Sequence, residues 1–242
     1  MVLLLGQGVW SAARAEPPTL RVATEGAYPP FNYRDETGNL AGFDVDYAKA
    51  LCVVMKVRCE LVAEPWGTII DGLVERRYDV IVASMSVTQE RKRRVAFTDK
   101  YYSTPMRFVA RKADSDRLAT LTDRTIGAQA ETTAIAYLTQ GFPFGHDLRP
   151  YATMEEAYAA LLAGEVEAVL TDSLVAWDFL KSPAGQPFSF VGEPIYTDTE
   201  VAIAVRKDAE KLRRRLNRAI ALTIIDGTYR RINQKYFPFS IY

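Results

Sequence analysis

The sequence predicts an α/β protein made of two βα lobes in one chain. Three observations carry this reading: short apolar strands alternate with amphipathic helices, the alternation begins afresh in the middle of the chain, and polar clusters fall where strands end. In open α/β sheets the ligand crevice lies beyond the carboxyl ends of the strands. The clusters at Glu25 to Tyr28, Ala83 to Arg91, Thr132-Thr133 and Asp172 all sit at such ends.

Taken in order, Leu20-Arg21-Val22-Ala23-Thr24 reads as a strand, running into Glu25-Gly26-Ala27-Tyr28-Pro29-Pro30-Phe31, a loop stiffened by two prolines. Asp35-Glu36-Thr37-Gly38-Asn39 is turn chemistry between two strand-like pieces. Residues 44–54 are predicted helical, with Val45, Ala48, Leu51 and Cys52 on one face. Residues 59–63 form a second strand, 66–76 a helix with Ile69, Ile70 and Leu73 facing inward, and 79–84 a third strand.

The second half repeats this grammar. Residues 107–111 and 125–128 read as strands, and Thr132-Thr133 as the N-cap of a helix reaching about residue 139. Residues 154–163 are predicted helical and closed by Gly164. A strand over 166–170 ends in Thr171-Asp172-Ser173 before a helix over 174–180; a last strand, 201–205, precedes a helical tail from residue 209. The two crossings between lobes are placed at 101–105 and 193–197.

At 242 residues, 48% hydrophobic and 25% charged, the chain has an ordinary globular composition and enough length to bury a core. Thirty basic and thirty acidic residues cancel, which removes the charge argument for a nucleic-acid or anionic-membrane partner. The basic runs Arg91-Lys92-Arg93-Arg94 and Lys211-Leu212-Arg213-Arg214-Arg215 read as solvated helix faces.

The N-terminus reads as an export signal, residues 1–15: Val2-Leu3-Leu4-Leu5 opens an apolar stretch reaching Trp10, and Ala13-Arg14-Ala15 fits a small-x-small cleavage site. No basic residue precedes the apolar stretch, a feature that a start upstream of Met1 would supply; the alternative is a disordered tail. No Cys lies near the cleavage site, so a lipid-anchored lipoprotein is not expected. In an exported chain the two cysteines, Cys52 and Cys59, are expected to pair, the alternative being two buried thiols. Their spacing gives no metal site, and His146 is the single histidine, so neither metal nor cofactor is expected.

The run Ala83-Ser84-Met85-Ser86-Val87-Thr88-Gln89-Glu90-Arg91 places two hydroxyls and a guanidinium at a strand-to-helix mouth with free amides and a positive dipole end. Arg91 adds a planar fork that matches a carboxylate. A small anion, such as an amino acid's carboxylate, suits that mouth. The competing readings are an ordinary surface arginine at 91 and an ordinary helix N-cap at Asp172.

Glu25-Gly26-Ala27-Tyr28-Pro29-Pro30-Phe31, Gly42-Phe43-Asp44-Val45-Asp46, the Cys52/Cys59 pair, Ser84 through Arg91, Ala96-Phe97-Thr98-Asp99 and Asp226-Gly227-Thr228-Tyr229 before Tyr236-Phe237 occur in an order that resembles the type II periplasmic solute-binding proteins. The similarity is to the lysine/arginine/ornithine- and histidine-binding branch of the polar amino acid ABC importers, with opine binders as near relatives, and covers nearly the whole mature chain. It implies a two-lobed periplasmic binding protein type II fold with a two-strand hinge: lobe 1 from 16–103 plus 199–242, lobe 2 from 104–198. Arg91 would then clamp an α-carboxylate with backbone amides at Ser86 and Thr133, while Asp172, the Ser86 hydroxyl and the Ser84 carbonyl hold the α-ammonium.

In the side-chain pocket the resemblance puts Glu25 opposite a cationic side chain, between the faces of Tyr28 and Trp66, with Asp44 adding negative potential. Without the resemblance, Trp66 reads as a core aromatic and Tyr28 as loop packing. Three residues depart from the family pattern: Ala83 in place of Ser, Glu131 in place of Gly, and Gln129 in place of an apolar residue. The implied ligand is a basic amino acid, arginine before lysine or ornithine, with an opine or other guanidino-compound as the alternative. The implied partners are ABC permease subunits, and a periplasmic monomer is expected. The rival from another class is a dehydratase-type enzyme using Glu25 as general acid, set aside because the chain offers no nucleophile elbow or phosphate loop.

Overall fold

The computed structural model describes residues 16–114, 123–140 and 147–242, so the expected signal peptide and His146 lie outside the described residues. The chain opens with β1 (Thr19–Thr24), β2 (Ala27–Tyr28), β3 (Asn32–Arg34) and β4 (Leu40–Ala41), then α1 (Phe43–Met55) and β5 (Arg58–Ala63). A 3₁₀ turn, Trp66–Thr68, leads into α2 (Ile69–Val74), β6 (Val80–Ile81), α3 (Gln89–Arg94) and β7 (Ala96–Ser103). The second set is β8 (Met106–Arg111), β9 (Thr125–Gln129), α4 (Thr133–Gln140), β10 (Asp147–Tyr151), α5 (Met154–Ala163), β11 (Ala168–Asp172), α6 (Ser173–Lys181) and β12 (Phe188–Ile195). The chain then returns through β13 (Glu200–Val205), α7 (Glu210–Ile225) and α8 (Thr228–Tyr236).

Two five-stranded mixed sheets result, ordered β5-β1-β6-β13-β7 and β10-β9-β11-β8-β12. In each, three neighbouring parallel strands are followed by one that runs the opposite way, β13 or β8, and then by an edge strand antiparallel to it, while β2-β3-β4 form a small third sheet. The chain leaves the first sheet between Ser103 and Met106 and comes back between Ile195 and Glu200. The two crossings are bonded to each other, Ser103 pairing with Glu200 and the Thr104 amide donating to the Thr199 carbonyl at 3.0 Å.

Most expected elements are present, and the departures have physical causes. The return crossing begins after Ile195 rather than at Glu193, because β12 is an edge strand and an edge tolerates Pro194. The same rule explains β10, an edge strand that Pro150 hid. The third strand stops at Ile81 because the chain turns there, Ser84 lying at φ 52°. The helical tail breaks at Gly227, whose φ of 77° suits a residue without a Cβ. A helix expected over 66–76 starts as the 3₁₀ turn and ends at Val74.

Aromatic packing fixes the base of the hinge. Phe31 stacks on Tyr102 at 4.8 Å, Tyr101 meets Tyr102 edge-on at 5.1 Å, and Phe43 and Phe237 close the cluster. Tyr101 and Tyr102 belong to the strand that becomes the first crossing, so the crossing starts from a rigid anchor. One buried apolar cluster runs on from there into the second sheet through Val109, Met154 and Val169.

Cys52 of α1 and Cys59 of β5 form a disulfide with a Cα–Cα distance of 5.7 Å, closing a short loop. Loop-closure entropy assigns such a bridge roughly 2–3 kcal/mol. Reduction is therefore expected to lower Tm by about 4–10 °C for a chain of this size, read by thermal unfolding with and without reductant; an unchanged Tm would remove the bridge from the stability account.

Candidate functional site

The carboxyl ends of β1, β9 and β11, the loop after β6 and the start of α4 converge on one cleft. Its lining includes all eight residues singled out in the sequence: Glu25, Tyr28, Trp66, Ser84, Ser86, Arg91, Thr133 and Asp172. Glu25, Tyr28, Trp66, Ser84, Ser86 and Arg91 come from the side of the first sheet, and Thr133 and Asp172 from the second.

Arg91 differs from its basic neighbours. The Thr88 side chain caps α3 by accepting from the Arg91 amide, and this aims the side chain back over the 84–88 loop while Lys92, Arg93 and Arg94 stay exposed. Its NH1 donates to the Ser86 carbonyl at 2.9 Å and its NH2 to the Glu131 carbonyl at 3.2 Å, and the guanidinium lies over the Trp66 ring. No carboxylate is paired with it among the described residues. Burial lowers its pKa to about 10, with Asp172 pulling the other way, so it stays cationic at neutral pH.

Asp172 stands at the N-cap position of α6 yet makes no capping bond. Its Oδ2 accepts instead from the Tyr28 hydroxyl at 3.0 Å, across the cleft. Burial pushes its pKa up to about 7, against the Tyr28 hydrogen bond and the Arg91 charge. Glu25 is pushed up to about 7 by the same cause, and its Oε1 accepts from Gln129 Nε2 at 2.6 Å. The Trp66 indole donates to the Glu131 carbonyl at 3.1 Å. With the 3.4 Å contact between the Tyr28 and Thr171 hydroxyls, five bonds span the cleft, and Gln129 and Glu131, two of the residues that depart from the family pattern, make three of them.

The hydroxyls fall differently. Ser84 Oγ turns away and donates to Asp44 Oδ2 at 2.9 Å, and the Thr133 hydroxyl points at Met106 Sδ. Thr132 does not cap α4; its hydroxyl donates to the Gln129 carbonyl, leaving the first-turn amides of α4 at the cavity wall without intrahelical partners.

Asp44 acts as a support, which sequence reasoning missed when it assigned it a long-range potential. Fully buried, it accepts from Asn32 Nδ2, Ser84 Oγ and the Tyr101 hydroxyl, all within 2.9 Å. Asn32 Oδ1 in turn accepts from the Gly26 amide. One carboxylate therefore joins the Glu25 loop, the Ser84 loop and the hinge strand. It reaches that place because Gly42 (φ 116°) brings the start of α1 against Phe31, where a Cβ would lie 2.3 Å from the Phe31 carbonyl oxygen. The lining residues Met106, Met154 and Leu170 were not singled out, since each looks like ordinary core in sequence.

Two mixed sheets, two bonded crossings and a charged cavity between strand ends define a two-lobed periplasmic binding protein fold. The chain belongs to the bacterial extracellular solute-binding proteins of family 3, whose model matches residues 20–239. It is 41% identical to the L-arginine-binding protein of Pseudomonas aeruginosa over 232 residues, covering 92% of this chain and 89% of that one. It is 33% identical to the lysine/arginine/ornithine-binding periplasmic protein of Escherichia coli over 240 residues, covering 96% and 92%. Among solved structures, an ancestral arginine-binding protein bound to arginine superposes with a TM-score of 0.85 at 33% identity, covering 92% of this chain and all of that one.

Glu25, Asp44 and Asp172 each hold their protons to higher pH than an exposed carboxylate, Asp44 to about 6 through burial. The folded protein thus binds more protons than the unfolded chain between about pH 4 and 7, and stability falls as pH rises through that window. Denaturant unfolding from pH 5 to 7.5 is expected to show this decline, with Asp44→Asn flattening its lower part and costing roughly 1–3 kcal/mol through lost acceptors. A flat wild-type curve would contradict the burial of these carboxylates.

Proposed function

We propose that this protein is an extracytoplasmic solute-binding component that captures a basic amino acid, arginine first, and delivers it to an ABC permease. The observation that carries the reading is a charge count. The cavity is lined by one cation, Arg91, and by two carboxyl groups, Glu25 and Asp172, whose pKa values of about 7 leave them ready to ionise beside a ligand cation. A basic amino acid brings the complement, one carboxylate and two cations, and a buried charge needs such a partner.

Arg91, with the amides at Ser86 and Thr133, takes the α-carboxylate. Asp172 takes the α-ammonium, supported by the Ser86 hydroxyl and the Ser84 carbonyl. Glu25 faces the side-chain cation, and Tyr28 and Trp66 flank the aliphatic stem. Each charged end of the ligand is shared between residues of both sheets, so a closed form gains contacts that an open form lacks, and this difference drives closure of lobe 1 (16–103 plus 199–242) on lobe 2 (104–198). Residues 1–15 serve as the export signal, and the mature chain acts as a periplasmic monomer.

A carboxyl with a pKa near 7 also fits a general acid, which is the condition the dehydratase-type reading sets for Glu25. Binding explains the same observation, because a ligand cation ionises Glu25, and the relatives at 33–41% identity are named as binding proteins.

Calorimetry on ligand-stripped protein is expected to give a Kd of about 1 μM or tighter for arginine. Asp172→Ala should weaken binding of every amino acid by about 30-fold or more, whereas Glu25→Gln should weaken basic ligands selectively. Preference for a neutral or acidic solute would overturn the role of Glu25, and binding of an opine alone would move the ligand to the guanidino alternative.

The affinity has a pH sign as well. Bound cations favour ionised Glu25 and Asp172, so log K should rise with pH by up to about one unit per pH unit per group below 7 and level off above it. A pH-independent Kd between 5.5 and 8 would show that neither carboxylate pairs with ligand charge.

A further inference from the structure

The structure assigns a second selectivity residue to the proposed site: we propose that Gln129, reaching across the cleft, joins Glu25 to form a two-acceptor fork that selects a guanidinium over an ammonium. The proposal rests on the basic-amino-acid reading and extends it to a position where the family pattern has an apolar residue.

Gln129 ends β9, is 3% exposed and lines the cavity. Its Nε2 has two hydrogens, and both are committed: one to Glu25 Oε1 at 2.6 Å, the other to the Ala152 carbonyl at 3.3 Å. The opposite amide orientation would set an oxygen against two acceptors, so the chemistry fixes which end points where. The Ala152 carbonyl belongs to the segment leading into α5, where Glu156 Oε2, besides serving the capping box with Thr153, accepts from the Ala152 amide, and this holds the amide's anchor in place.

What is left over decides the selectivity. Gln129 Oε1 and Glu25 Oε2 have no partner among the described residues, and both side chains line the cavity, one from each lobe. A guanidinium offers N–H donors spread in a plane, so two of its nitrogens can meet two separate acceptors at once. An ammonium carries its three hydrogens on one atom, so it meets both acceptors only if both lie within hydrogen-bond reach of that single nitrogen, a tighter condition than the guanidinium meets with two nitrogens. An imidazolium points its two donors apart. A cation that reaches only one of the two acceptors leaves the other unpaired, which is the kind of mismatch that sites reject most strongly. An apolar residue at 129 would impose no such condition.

The test is calorimetry with arginine, lysine, ornithine and citrulline on ligand-stripped wild type and on Gln129→Met, which keeps length and removes the acceptor. Wild type should prefer arginine over lysine by about tenfold or more, with citrulline, the neutral ureido analogue, weaker than arginine. In Gln129→Met arginine should weaken by about tenfold or more while lysine changes by less than about threefold, so that the preference collapses. Equal losses for both would make Gln129 a closure contact only, and no loss would remove it from the site; either overturns the fork. Wild type binding arginine and lysine equally would overturn it without any variant, which covers the case of a variant that fails to fold. Failure of wild type to bind any basic amino acid would instead bring down the parent reading, a distinguishable result.

Discussion

Three ionisable groups, Arg91, Glu25 and Asp172, face one another across the cleft without an ion pair among them. Arg91 ends on two backbone carbonyls, Glu25 on an amide and Asp172 on a phenol. Neutral dipoles are partial compensation for a charge that has lost water, and the raised carboxyl pKa values record the remainder. Nothing in either lobe alone could compensate these groups better, because the partners each one has come from the opposite lobe or from a loop at its edge. The rest of the architecture serves to bring such groups to one place and to let them part.

That demand explains the weight the fold puts behind the cavity rather than in it. Asp44 is spent wholly on support: its oxygens gather Asn32, Ser84 and Tyr101, and through Asn32 the Gly26 amide. Without it the Glu25 loop and the Ser84 loop would be independent surface turns. The aromatic stack of Phe31, Tyr101 and Tyr102 does the same for the first crossing. The second lobe needs fewer such ties, since Gln129 and Asp172 sit directly on strand ends held by their sheet.

Most strands and helices were legible in the sequence because apolar alternation leaves a local mark, and the eight residues that line the cavity were singled out by polar clusters at strand ends together with the family resemblance, without which Tyr28 and Trp66 read as ordinary packing. The parts that stayed hidden depend on partners distant in sequence. Asp44 reads as one more acid in the first turn of a helix, and only its contacts with residues 12, 40 and 57 positions away make it a hub. Asp172 looks like an N-cap until the structure turns its carboxylate to Tyr28, 144 positions away. β10 was missed for a different reason: Pro150 is a strand breaker everywhere except at an edge, and edges are not visible in a linear chain.

The residues that break the family pattern prove informative for the same reason. Glu131 stands at φ 58°, a backbone conformation in which glycine costs nothing and a side chain is strained. Yet its carbonyl accepts from both Trp66 and Arg91, and a carbonyl does this whatever its side chain. The position is thus constrained through its backbone, and the glutamate side chain is free to stay in solvent, where it is exposed. Gln129 is the reverse case, since its side chain makes the contact across the cleft and a different side chain would make a different site. A ligand carboxylate entering at Arg91 must displace the Glu131 carbonyl or share the guanidinium with it, and the planar fork has donors enough for sharing. Closure can therefore keep its protein–protein bonds and add ligand bonds to them. On that geometry the backbone contacts join the lobes whatever the ligand, and the choice among ligands falls, under the proposal made above, to Glu25 and Gln129.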